Sequence, residues 1–270
     1  MIRRATDGWR RFGPPVVLVA AVLLGWEIYA RSSGLSAFVL PSPTRVLVAL
    51  WESRDEALRH SLPTIAETVI GFTVSVVFAI AAAVAMDRVG IVRRAVEPLL
   101  VGSQTIPIVA VAPLIIVWFG FGLVPKILVV VLVTFFPITV ALLGGFSSTD
   151  AAATDLMRSF GASSWQTFRK LRWPSGLPGL FTGLRISATY AVVAAVIAEY
   201  VGATEGLGIW MQLSQKSFRT DLVFGAILLT AVLSVALFGA VVAAERAIIP
   251  WYAASHRGAP AGTVFRPGVT

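Results

Sequence analysis

Six long apolar stretches constrain the fold of this chain more than any other feature of its sequence. They cover residues 14–30, 64–86, 99–119, 127–146, 180–201 and 222–244. A helix needs about 20 apolar residues to cross the hydrocarbon core of a bilayer, whereas a barrel strand needs about 10 residues of alternating polarity. Hydrophobic residues make up 57% of the chain and charged residues only 13%, which excludes an ordinary soluble domain. The sequence therefore predicts an all-α, polytopic membrane bundle of about six transmembrane helices.

Basic residues predict the orientation of these spans. With the amino terminus in the cytoplasm, fourteen Lys and Arg residues fall in inside segments and seven in outside segments. Because cytoplasmic loops carry an excess of Lys and Arg, both termini are predicted to be cytoplasmic. The prediction divides the chain into a cytoplasmic segment (1–13), a transmembrane domain (14–250) and a disordered cytoplasmic tail (251–270). The first stretch lacks a small-residue cleavage site, so it is interpreted as an uncleaved helix.

Several function classes are excluded by missing residues. The chain has no cysteine, and its two histidines, His60 and His256, are far apart, so we expect no metal site. It lacks a G-x-x-x-x-G-K-[ST] phosphate loop and a catalytic nucleophile with a base. We therefore expect no enzyme activity and no cofactor, and any ATP must be used by another subunit. The net charge of +8 is explained by membrane orientation, so no nucleic-acid partner is expected.

A polar, basic segment at residues 150–178 separates the fourth and fifth spans, and we call it the 150–178 hairpin. Good helix formers lead to Gly161, which can take the left-handed conformation that ends a helix. Ser163 and Gln166 then match a capping box that opens a second short helix. Pro174 is predicted to stop that helix. An irregular connection is predicted to lead from there into the fifth span.

The second short helix places Trp165, Phe168 and Leu171 on neighbouring positions, surrounded by basic residues. Two interpretations follow from the residues alone. The hairpin is either a basic loop whose aromatic residues rest on the membrane surface, or a docking surface for a protein partner.

The spacing of the hairpin resembles the signature loop of permease subunits of binding-protein-dependent ATP-binding-cassette importers. That signature is Glu-Ala-Ala, three residues, Gly, nine residues, Ile, one residue and Leu-Pro. Gly161, Leu171 and Pro174 fall in register with it, while Asp155-Leu156-Met157 replace Glu-Ala-Ala and Trp173 replaces the leucine.

The resemblance extends beyond the hairpin to LPSPTRV, SQTIPIVAVAPLIIVWFGFG and AEYVGATEGLGIW. These segments look like the nitrate, sulfonate and taurine branch, which also includes permeases for thiamine-precursor pyrimidines. The resemblance implies the type I importer fold in a bacterial plasma membrane. It also implies a homodimer with a cytoplasmic ATPase dimer and an extracytoplasmic solute-binding protein. By the same resemblance, the ATPase-coupling residues are Asp155, Gly161, Ala162, Trp165, Phe168, Leu171 and Pro174.

Polar residues within the spans are candidates for the translocation pathway, because such groups are costly at membrane depth. Gln104, Thr105, Tyr190 and Glu199 are the candidates, and Glu199 either lines the outer mouth or tethers the glycine-rich loop that follows it. Glu27 and Arg185 lie near span ends and are expected to reach the interface, as is Glu67.

The sequence thus predicts a permease subunit that moves a small solute by alternating access, driven by a separate ATPase. The alternative is an ion-coupled secondary transporter or channel that works alone, which would show internal repeats and more intramembrane charge. The solute is expected to be an anion such as a sulfonate or taurine, or a pyrimidine. SQTIPIVAVAP and WFGFG look closer to the pyrimidine-precursor and riboflavin-like permeases.

Overall fold

A computed structural model describes residues 2–252, with side chains from residue 13 onward. All of its regular elements are helical, and no strand occurs among these residues. In chain order the helices are α1 Ile2–Ser32, α2 Pro43–Glu52, α3 Arg54–Arg88, α4 Gly90–Ser103, α5 Ile108–Phe119, α6 Leu123–Ser147, α7 Ala151–Ser159, α8 Ser164–Thr167, α9 Trp173–Glu199, α10 Leu207–Lys216 and α11 Thr220–Ile248. A π-helical turn, Phe168–Arg172, lies between α8 and α9.

Five of the described helical segments are long and apolar enough to cross a membrane, and the bent pair α4 and α5 is a possible sixth. The prediction of an all-α, polytopic chain is therefore confirmed. The tail predicted to be disordered lies outside the described residues from residue 253 onward, as does His256. The cytoplasmic placement of residues 1–13 stays a prediction.

The third predicted span, residues 99–119, is wrong as a continuous helix. Its two halves, α4 and α5, are bent by 106° at residues 104–107. Pro107 disfavours helical geometry at the residue before it and has no N–H to continue the helix. The hydroxyl groups of Ser103 and Thr105 donate to the carbonyls of Leu100 and Gly102, each at 2.7 Å, and so satisfy backbone acceptors that the break releases.

The chain divides into two compact units, and the first comprises Met1–Thr64 and Ala203–Ala231. Within it, Ser42 caps α2 by accepting a hydrogen bond from the Arg45 N–H. Glu27 ties α1 to this turn, since its carboxylate accepts bonds from the Thr44 N–H at 3.0 Å and the Thr44 hydroxyl at 2.8 Å. Glu27 also pairs with Arg31, and its expected position at the membrane interface stays a prediction.

The second unit comprises Ile65–Gly202 and Val232–Thr270, and α6 packs closely on α9 there. A Cβ atom on Gly145 would lie only 2.8 Å from the carbonyl oxygen of Gly176, and one on Gly183 only 2.8 Å from the Cα of Ile138. Glycines thus let the two helix backbones meet, as small residues do in membrane helix pairs. In the same unit Arg185 forms an ion pair with Glu245 at 3.4 Å, and its expected interfacial position stays a prediction.

Candidate functional site

The 150–178 hairpin begins with α7 and a tight glycine turn. Asp150 caps α7 by accepting a bond from the Ala152 N–H at 2.9 Å. Gly161 then has φ +76°, its N–H donates to the Arg158 carbonyl, and the Ala162 N–H donates to the Met157 carbonyl at 3.0 Å. This pair of bonds is a Schellman motif, which requires the left-handed conformation that glycine adopts without strain. The predicted glycine corner is confirmed.

The second half of the hairpin opens with the predicted capping box. The Ser163 hydroxyl accepts from the Gln166 N–H at 3.2 Å, and the Gln166 side-chain oxygen accepts from the Ser163 N–H at 2.8 Å. Two backbone donors that a helix start would leave free are thereby satisfied.

Pro174 does not stop this helix, so that prediction is wrong. One helical segment runs from Ser164 to Glu199 over 36 residues. The π turn at Phe168–Arg172, in which the Trp173 N–H donates to the Phe168 carbonyl, widens the helix just before Pro174. The wider turn leaves room for the proline ring, and the glycines predicted to form an irregular connection pack against α6 instead.

Phe168 lies in an aromatic cluster within the chain and is only 9% exposed. Its ring centroid is 5.8 Å from that of Phe146 and 6.2 Å from that of Trp173. Trp165 stacks on its other side at 5.9 Å and remains 57% exposed. Phe168 therefore holds the hairpin to α6 and α9, while Trp165 presents a free face.

An ion pair fixes the same region to the end of α3. Arg172 places Nη2 2.9 Å from Oδ1 of Asp87, whose side chain is 6% exposed. The guanidinium carbon of Arg88 lies over the rings of Phe168 and Trp165, at 4.4 Å and 5.0 Å from their centroids. Cation–π contacts of this kind orient an arginine side chain.

The outer face of the hairpin is apolar and basic. Leu156 and Phe160, four residues apart on α7, are 58% and 81% exposed. Sequence reasoning missed both, although their helical spacing indicates a common face. Among the other predicted coupling residues, Asp155 is exposed and lies 3.5 Å from Arg158, while Ala162, Leu171 and Pro174 are partly buried.

Two predicted pathway residues, Gln104 and Thr105, lie at the break between α4 and α5. Gln104 lines a cavity of about 280 Å³ together with Ser103, Ile106, Pro107, Ile108, Leu132 and Val133. Thr105 is not among the lining residues, and its hydroxyl donates to the Gly102 carbonyl. Tyr190, on α9, is 54% exposed and lies outside this cavity.

The fourth pathway candidate, Glu199, is fully buried beside the carboxyl group of Glu67. Glu67 is also buried, and its Oε1 lies 2.5 Å from Nζ of Lys126. The partner of Glu67 is thus an ammonium group 59 positions along the chain, and its expected interfacial position stays a prediction. No group of three potential metal ligands occurs among the described residues.

The chain matches the family model of binding-protein-dependent transport system inner membrane components over residues 75–250. The chain belongs to this family. It is 37% identical over 238 residues to the formylaminopyrimidine transport permease protein ThiX of Halalkalibacterium halodurans, a match that covers 88% of this chain and 95% of that protein. It is 34% identical to the riboflavin transport system permease protein RibX of Chloroflexus aurantiacus, over 91% of this chain and 92% of that protein. The taurine transport system permease protein TauC of Escherichia coli is 30% identical, with coverages of 87% and 88%.

Family membership confirms the permease prediction over the secondary transporter or channel. The chain is a membrane subunit of an ATP-binding-cassette importer, and its family role is transport rather than catalysis. A solved structure described as an amino acid ABC transporter with histidines matches with a TM-score of 0.61 and 13% identity, over 74% of this chain and 98% of that one. The predicted importer permease fold is thereby confirmed for this multi-pass inner-membrane protein.

Proposed function

We propose that two copies of this permease form the membrane pathway of an importer, with both termini cytoplasmic. Two separate ATPase subunits bind the 150–178 hairpins from the cytoplasm, and a solute-binding protein delivers the solute from the opposite side. Family membership supports this assembly, and the excess of Lys and Arg in the inside segments supports its orientation.

The coupling proposal is supported above all by one observation: the second helix of the hairpin continues without a break into the fifth span. Because helix Ser164–Glu199 has no loop between its hairpin end and its membrane part, a displacement of Trp165 moves both as one body. Two contacts support the same conclusion. The Asp87–Arg172 ion pair fixes the hairpin end to α3, and the aromatic cluster around Phe168 fixes it to α6.

The surface available to the ATPase consists of Leu156, Phe160 and Trp165. Arg169 and Lys170, four and five residues after Trp165, are exposed as well. Large apolar side chains inside a polar rim are typical of the centre of a protein interface, and the basic rim favours a partner groove with acidic edges. Phe168 is buried within the chain, so it contributes to ATPase binding by holding Trp165 in place and does not itself contact the ATPase.

The coupling proposal is tested by co-purifying the tagged permease with its ATPase from membranes. Trp165→Asp removes one buried interface side chain, worth about 2 kcal/mol or a thirtyfold weaker complex, and uptake is lost with it. Gly161→Asp is expected to insert normally but to lose both the ATPase and transport, because its left-handed conformation strains a side chain. Trp51→Asp, at a 71% exposed tryptophan on α2, is the matched control and retains both. Normal ATPase retention by Trp165→Asp would refute the docking assignment.

The solute pathway is proposed to pass the cavity at the α4–α5 break. Gln104 and Ser103 are its polar side chains, and its other five lining residues are apolar and uncharged. An uncharged cavity with one amide favours a neutral heterocycle that forms hydrogen bonds over a sulfonate, which would need a basic partner. The identities to ThiX and RibX, higher than that to TauC, support the same solute class.

A further inference from the structure

A second cavity, of about 290 Å³, lies between the end of α3 and the inner side of the 150–178 hairpin. Its polar lining includes Arg88, Arg158 and Arg172, together with the hydroxyl residues Thr154, Ser164 and Thr167. Asp87 is its one acidic lining residue and is paired with Arg172. The lining therefore carries excess positive charge in a space large enough for on the order of ten water molecules.

Arg88 is the best-placed cation in this cavity. One side of its guanidinium group is covered by the rings of Phe168 and Trp165. It forms no ion pair or hydrogen bond with another described residue. The rings restrain the side chain, and the N–H groups at the guanidinium edge remain free to donate. A planar guanidinium restrained in this way is suited to binding a phosphate or carboxylate through two parallel hydrogen bonds.

The start of a long helix adds to the attraction for an anion. Ser164 is the first residue of the 36-residue helix Ser164–Glu199, and it lines the cavity. The partial positive charge at a helix amino terminus favours an anion. No hydrogen bond of the Ser164 hydroxyl to another described residue is present, so that group can donate to a ligand as well.

The depth of the cavity indicates which anion reaches it. Arg88 is the last residue of candidate span Arg54–Arg88, and Arg172 directly precedes the membrane part of α9. The Trp173 ring lies 6.2 Å from that of the lining residue Phe168, and tryptophan is enriched at the membrane–water interface. Basic pockets between transmembrane helices on the cytoplasmic side bind anionic lipid headgroups. The position of the cavity at the ends of two candidate spans therefore favours a phospholipid phosphate as the anion, while the exposed apolar side chains of the hairpin are those proposed to bind the ATPase.

We propose that this cavity binds a phosphate group, supplied in the membrane by an anionic phospholipid, through Arg88, Arg172 and Ser164. The bound headgroup joins the end of α3 to the hairpin. It also restrains Arg88, whose guanidinium carbon lies over the Trp165 ring. The assignment to the cytoplasmic leaflet rests on the proposed function. The phosphate chemistry rests on the lining residues alone.

The test is native mass spectrometry of the full-length permease purified in detergent, followed by titration with phosphatidylglycerol in phosphatidylcholine nanodiscs. Wild-type protein is expected to retain phosphatidylglycerol. Arg88→Gln is expected to bind it at least about tenfold more weakly, since a charge-assisted contact is lost. Arg94→Gln, at an exposed arginine outside the cavity, is the matched control and binds like wild type.

Ser164→Asp is a second variant that distinguishes loss of lipid binding from loss of folding. An acidic residue at the first helical position stabilises the helix, yet it places a negative charge beside the phosphate. Lipid retention should therefore fall while thermal stability does not. Equal retention by wild type, Arg88→Gln and Ser164→Asp would overturn the proposal.

Inorganic phosphate separates the two sources of the anion. Displacement of phosphatidylglycerol by millimolar phosphate would identify a free-phosphate site, and retention of the lipid under those conditions supports the phospholipid. Loss of the ATPase by Arg88→Gln with unchanged lipid binding would instead assign the cavity to a carboxylate of the partner. Lipid retention is measured without the ATPase, so it can fail or succeed independently of the coupling experiment with Trp165→Asp.

Discussion

Replacing Lys126 by methionine is expected to destabilise the permease strongly, because Lys126 neutralises a buried carboxylate. The side chains of Lys126 and Glu67 are 11% and 3% exposed, and the ammonium lies 2.5 Å from the carboxylate. Removing one partner of a buried pair costs about 3–5 kcal/mol, since the remaining charge is left without water or a counter-ion. Because Lys126 is partly exposed, we expect a loss of unfolding free energy at the lower end of this range, about 3 kcal/mol.

The double variant Glu67→Gln/Lys126→Met removes both charges. The amide introduced at position 67 can donate a hydrogen bond to Glu199, so this variant is expected to lie within about 1 kcal/mol of wild type. Stability is measured as the midpoint and slope of denaturant unfolding of the full chain in mixed micelles. Lys216→Met, at an exposed lysine, controls for loss of charge and should change the free energy of unfolding by less than about 0.5 kcal/mol. Equal destabilisation by Lys126→Met and the double variant would refute the argument, because the loss would then come from packing.

Two further predictions concern helix packing and the solute. Gly145→Ala should lower the free energy of unfolding by about 1–3 kcal/mol, because its Cβ would lie 2.8 Å from the Gly176 carbonyl oxygen. Gly144→Ala, with no atom within 4 Å of the added Cβ, should not lower it, because alanine is the better helix former. Equal stability of the two variants would contradict the close approach of α6 and α9. Gln104→Leu should reduce uptake of a labelled pyrimidine about tenfold while the ATPase still co-purifies, since the single amide of the cavity is lost. Undiminished uptake would place the pathway elsewhere.

Features encoded by neighbouring residues were predictable from the sequence. The hydrogen bonds that define the Gly161 turn and the Ser163–Gln166 capping box involve only residues within four positions of Gly161 or of the box. The sequence pattern therefore directly specifies the geometry of both. The apolar stretches likewise specify helices because the bilayer fixes their length. The spacing of Leu156 and Phe160 predicts a shared helix face, but the exposure of that face depends on what packs against α7.

Features that depend on distant packing could not be predicted in the same way. Pro174 is a helix breaker by its own chemistry, and only the preceding π turn makes it compatible with a continuous helix. The third span contains enough apolar residues to cross the membrane, but composition does not reveal a 106° bend. Glu67 and Lys126 are 59 positions apart, so only tertiary packing brings them together.

The π turn at Phe168–Arg172 also determines the rotational phase of the hairpin relative to the membrane helix. A π turn contains one residue more than the α-helical path, and one residue corresponds to about 100° of rotation in a helix. Deleting a single residue there would restore regular α geometry and turn Trp165 by about that angle relative to α9. The direction in which the exposed side of Trp165 points is therefore determined by one inserted residue. A change of chain length could redirect the proposed ATPase contact without any substitution on the contact surface.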